Sequence, residues 1–141
     1  MNRLLPNRLL IGCALLSLSS ASGAAVWGSV GLTPASTTAS AGFAILPLPI
    51  LGPIGLEGEL ERPFNGGGNA FSLGATLHEV NLPLTSLDGF VGAGLSFSNT
   101  TRTYLEGGLY TSLLGPIGLK LGVRGYGGGG LRAGVGAEIR F

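Results

Sequence analysis

Glu57, Glu59 and Glu61 recur at every second position of GPIGLEGELER (52–62), and GPIGLKLGVRG (115–125) repeats the opening with Lys120 and Arg124 in place of Glu57 and Glu61. On an extended strand, alternate residues share one face. Two such strands, one acidic and one basic, can do one of two things in a closed space. They can pair across it and fill it, or they can line a pore that selects ions by sign. Glu106, Arg132, Glu138 and Arg140 continue the set on later segments. The signs are mixed and nearly balanced, which favours pairing and a plugged interior.

Other chemistries find little support. His78 and Glu79 are neighbours in a serine-containing chain, a composition compatible with a Ser, His and acid hydrolase, but adjacent strand residues point to opposite faces. The sole histidine therefore reads as a polar interior residue, and no enzymatic activity is expected. One His and one Cys cannot make a usual zinc site. GGGN and GGGG lack the lysine and the helix that a phosphate loop requires. No catalytic, cofactor-binding or metal-binding residue is assigned.

The elements that must carry these charges show a period of two. LRAGVGAEIRF sets Leu131, Ala133, Val135, Ala137, Ile139 and Phe141 against Arg132, Gly134, Gly136, Glu138 and Arg140. IGLKLGVRGY (117–126), TYLEGGLYTSL (103–113), FVGAGLSFS (90–98), AFSLGATLH (70–78) and IGLEGELER (54–62) alternate in the same way. Weaker segments cover Val26 to Leu32 and Ser40 to Leu46, which makes eight strands. Turn-forming clusters at 33–37, 46–53, 63–69, 81–89, 98–101, 113–116 and 127–130 separate them. Two of these, LPLPILGP (46–53) and NLPLTSL (81–87), are more apolar than a wet turn should be.

Composition points to the solvent. The chain has 141 residues, enough for one domain, with 27 glycines and 11% charged residues, where roughly 25% is usual. Residues 1–24 read as a secretory signal peptide: Arg3 and Arg8, an apolar run from Leu9 to Leu18, then small residues. Its removal would leave a barrel at 25–141 with six basic and seven acidic residues, too little positive charge for a nucleic-acid partner. Cys13 lies in LIGC, which matches a lipoprotein box by letters only and would leave with the signal. The apolar run 44–56 contains Pro47, Pro49 and Pro53 and cannot be a spanning helix. An exported apolar chain without such a helix has one remaining way across a bilayer, a closed β-barrel.

On its alternating strands, and above all on the segment from Leu131 to Phe141, the chain resembles the small eight-stranded outer-membrane barrels of the OmpA and OmpX type. The resemblance implies an all-β, antiparallel, up-and-down transmembrane barrel in the outer membrane, surrounded by lipid and monomeric. It also implies that Val135, Ala137, Ile139 and Phe141 form a signal read by the insertion machinery. Two features depart from that class. Ile139 stands where an aromatic is frequent, and Trp27, Phe90, Tyr104, Tyr110 and Tyr126 fall on the inward parity. Only Phe43, Phe71, Phe97 and Phe141 fall on the outward one.

The offset of sixty-three residues extends to Gly31-Leu32 and Gly94-Leu95 and to Thr37-Thr38 and Thr100-Thr101, so the strands read as two copies of a four-stranded unit. In an eight-stranded barrel the third and seventh strands lie opposite each other. Glu57, Glu59 and Glu61 are then expected to meet Lys120 and Arg124, with Glu106, Arg132, Glu138 and Arg140 joining the network. The expected role is structural or membrane-maintaining. Three alternatives stay open: a narrow pore for ions or small solutes, a soluble lipocalin-like barrel holding an apolar ligand with the parity reversed, and a secreted fibre-forming chain.

Overall fold

The computed structural model describes residues 26–141, so the expected signal peptide at 1–24, with Cys13, lies outside the described residues. Eight strands follow: β1 (Val26–Leu32), β2 (Ser36–Leu48), β3 (Gly52–Pro63), β4 (Ala70–Asn81), β5 (Leu87–Phe97), β6 (Thr101–Leu114), β7 (Ile117–Tyr126) and β8 (Leu131–Arg140). Each pairs antiparallel with the next, and β8 returns to β1 to close the barrel. At the seam Trp27 to Leu32 run against Arg140 to Val135. Val26 and Phe141 extend the ladder by exchanging both backbone hydrogen bonds, at 3.1 and 2.8 Å.

The alternation determines which side chains share the interior. Leu131, Ala133, Val135, Ala137, Leu119, Leu121, Val123, Leu105, Leu109, Leu73 and Leu60 are exposed on the outside. The charged and aromatic residues between them face the lumen, where Trp27, Phe90, Tyr104 and Tyr110 are buried. The apolar interior of a lipocalin-like cup is therefore not the one this chain adopts. Phe43, Phe71, Phe97 and Phe141 stand on the outer face.

The strands run further than the alternation suggested. β2 begins at Ser36 rather than Ser40, because Thr33 caps a tight turn with its hydroxyl on the N–H groups of Ala35 and Ser36. The expected turn at 46–53 is mostly strand: Leu46 pairs with Ile54, Pro47 with Pro53 and Leu48 with Gly52. Proline is tolerated there because this hairpin tip extends beyond the ladder with β4, which begins at Ile54. The same holds at 81–89, where Val80 pairs with Gly89 and Asn81 with Asp88, leaving a turn at 82–86.

One irregularity changes a side chain's face. Between Leu77 and Val80 the β4 register shifts against β5, and Glu79 takes φ +60°. This bulge undoes the strict alternation. His78 and Glu79, expected on opposite faces, both turn toward the lumen. Gly52, at φ +85°, lies against the carbonyls of these two residues, where a Cβ would collide with His78 O.

Candidate functional site

The lumen holds all seven acidic residues of the chain in ion pairs: Glu57, Glu59, Glu61, Glu79, Glu106, Glu138 and Asp88. They divide into two tiers. In the tier near Val26, Arg140 donates from Nε to Glu138 at 2.7 Å and approaches Asp88 at 3.3 Å and Glu79 at 3.6 Å. Lys120 bridges Glu138 at 3.2 Å and Glu57 at 3.5 Å. Glu57 also accepts a 2.6 Å hydrogen bond from the Trp27 indole N–H. Fully buried His78 meets Glu138 through Nε2 at 2.9 Å and stacks on Trp27 with ring centroids 4.3 Å apart.

In the upper tier Arg124 is the hub. Its guanidinium donates to Glu106 at 2.6 and 2.9 Å, to Glu59 at 2.7 Å and to Ser72 at 3.2 Å. Arg132 donates to Glu59 and to Glu61, each at 2.7 Å, and Ser36 donates to the other oxygen of Glu61 at 2.6 Å. Charge-assisted bonds this short and multiple are the kind that can offset the desolvation of enclosed charges.

Every residue of the expected network thus faces the lumen and is brought into it, with one change of partner. Arg124 sits across from Glu59 rather than Glu61, and Glu61 goes to Arg132. The stagger of the strands displaces opposite walls by a rung, which a flat reading of the repeat could not show. Val135, Ala137, Ile139 and Phe141 lie on the outer face of β8 and its continuation, with Val135 and Phe141 exposed.

The inward aromatics form the beds of the cations. Arg124 lies 4.0 Å over the Tyr104 ring, Lys120 4.5 Å over Phe90, Arg140 3.2 Å over Tyr110, and Arg102 4.9 Å over Tyr126. A ring face offers an enclosed cation a negative surface in place of water. The lumen glycines supply the room. A Cβ at Gly42 or Gly55 would enter the Trp27 ring, and one at Gly118 would meet Tyr110.

Besides His78, which the sequence placed in the interior without a partner, Asp88, Trp27 and Glu79 take part from outside the expected set. Asp88 follows the inward parity of Phe90, but the Asp88-Gly89 pair reads as a turn. Trp27 shares that parity, yet nothing in the sequence names its acceptor. Glu79 enters only through the bulge, which leaves no periodic trace. Open space remains beside Ser29, Thr38, Glu59 and Arg132 as a cavity of about 70 Å³, large enough for water. A vestibule of about 370 Å³ at the opposite end from Val26 is lined by Glu61, Ser98, Arg102 and Tyr126. Among the described residues no cluster of His, Cys, Asp and Glu could hold a metal ion.

No family model and no curated protein matches the chain. Among solved structures, the N-terminal β-barrel domain of Pseudomonas aeruginosa OprF is similar in fold. It has 20% sequence identity and a TM-score of 0.62 over 82% of this chain and 95% of that one.

Proposed function

We propose that the chain is an integral outer-membrane barrel whose role is structural, with a lumen closed by its two tiers of ion pairs. The inverted distribution of side chains carries this reading. Apolar residues cover the outside, while every acid and four of the cations pair within. In water such a shell would expose a continuous apolar face far larger than the few hundred Å² that soluble monomers show. In lipid the same face is the favourable one, and closure leaves no unpaired strand edge. The fold shared with the OprF barrel domain supports the same assignment.

The geometry of the tiers supports a plugged lumen. An eight-stranded barrel has an interior just wide enough for side chains to fill. Here Arg124, Arg132, Lys120 and Arg140 each reach at least two carboxylates, so opening a path requires several buried pairs to part together. Monomeric lipid-surrounded behaviour, without a catalytic role or cofactor, goes with this reading.

Cell fractionation and electrophoresis with and without boiling test the membrane assignment, and planar-bilayer conductance tests the plug. A closed membrane barrel sediments with outer membrane and shifts its mobility on heating. A soluble periplasmic monomer would overturn the assignment. Steady large openings in the parent chain would overturn the plug and favour the narrow pore.

A further inference from the structure

The two ends of the barrel are built from opposite materials. At one end, opposite Val26 and Phe141, the connections are 33–35, 64–69, 98–100 and 127–130, made mostly of Gly, Asn, Ser and Thr. Backbone positions there that need positive φ are glycines: Gly66, Gly128, Gly129 and Gly130. At the Val26 end the turns are 49–51, 82–86 and 115–116, and the segments LPLPILGP, LPLTSL and LLGPI contain no charged residue.

Two of these turns place a large apolar residue where glycine would be least strained. Ile50 adopts φ +76° and is 94% exposed, and Leu84 adopts φ +69° and is fully exposed. A β-branched or bulky residue at positive φ is strained. In water the position would favour Gly or Asn, which relieve the strain and expose no apolar surface. Ile45, Leu46, Leu113 and Leu114 stand exposed beside these tips and continue the outer face of the strands, and the exposed polar residues among them, Asn81, Thr85, Ser86 and Ser112, are uncharged. The nearest acids, Glu79 and Asp88, are drawn inward to Arg140.

We propose that the Val26 end of the barrel is a lipid-inserted rim, in which Ile50, Leu84 and Leu114 project into bilayer lipid rather than into the aqueous compartment. The inference rests on the membrane reading and extends it: lipid covers the turns as well as the walls. Continuity with the apolar outer face identifies the occupant. A water-facing rim would need charged side chains between it and the apolar wall, and a protein partner would need a patch set apart from the wall.

Tryptophan fluorescence of the full chain in bromine-labelled phosphatidylcholine vesicles tests it. Ile50→Trp and Leu84→Trp report on the strained tips, Leu114→Trp on an unstrained rim position, and Leu73→Trp on the middle of the wall. The sole native tryptophan, Trp27, is enclosed in the lumen and gives the background signal. Rim and wall reporters should be quenched alike by brominated lipid and spared by aqueous acrylamide. If the wall reporter is quenched by lipid while the rim reporters are quenched by acrylamide, the rim is in water and the inference falls alone. Rim reporters shielded from both quenchers would mean a protein contact and would also overturn it. A wall reporter unquenched by lipid would remove the membrane reading itself, and the rim with it.

Discussion

Glu57 and Lys120 are separated by 63 residues, the interval of the GPIGL repeat, and their side chains meet at 3.5 Å across the lumen. Matching positions of the two GPIGL segments on β3 and β7 carry opposite charges and pair. Reversing either one alone, by Glu57→Lys or Lys120→Glu, places like charges together in an enclosed space. The expected loss is about 3–5 kcal/mol, the range for breaking a buried pair. The double reversal should recover part of it, and only part, because a carboxylate at position 120 then faces Glu138, and an ammonium in place of the Glu57 carboxylate has no lone pair to accept the Trp27 N–H. Urea midpoints in micelles for the four chains form the required cycle; a double variant whose loss equals the sum of the two single losses would show that the two do not interact.

Arg124→Met tests the upper hub. The substitution keeps an unbranched stem over Tyr104 but leaves Glu59 and Glu106 without their shared cation. We expect a loss of about 3–5 kcal/mol and the appearance of small, irregular conductance in bilayers. Silence together with unchanged stability would show that Arg124 neither braces nor closes the lumen.

Gly42→Ala should cost about 1–3 kcal/mol through overpacking, since the new Cβ enters the Trp27 ring. Combining it with Trp27→Leu should remove most of that added cost. Heat-induced mobility shifts on gels rank the variants; an additive double variant would place the strain elsewhere.

Leu73→Arg on the exposed outer face of β4 should weaken membrane insertion by about 2–4 kcal/mol, the cost of an arginine at mid-bilayer on a barrel's lipid face. Partitioning between vesicles and urea solution measures it. A neutral result would indicate that this face meets water.

Much of this architecture was legible from period two alone. Alternation from Leu131 to Phe141 sorted the residues into two faces, and low charge and export, rather than the period, put the apolar face outside and so sent Tyr104, Tyr110, Phe90 and Trp27 inward. What alternation cannot carry is height, because the stagger of a closed sheet is set by its hydrogen-bond register. This is why Arg124 meets Glu59 instead of Glu61. Nor can it carry a bulge: one extra residue at Leu77–Val80 brings Glu79 to Arg140, and no residue type there marks the shift. The prolines at 47 and 53 read as turn signals although the chain pairs them with each other. Proline reports a missing N–H, and a hairpin tip beyond the ladder with β4 does not need one.

The pairing of Val26 with Phe141 has a consequence for time rather than for shape. β1 and β8 are the most distant strands in the described sequence, and until they join, each presents an open edge of unpaired N–H and C=O groups. Closing so long a loop adds only logarithmically to the entropic cost, but it can come only after the intervening strands are aligned. Assembly should therefore behave as one cooperative event gated by the seam. Its rate, more than the final stability, should respond to substitutions along Gly28 to Leu32 and Val135 to Ile139.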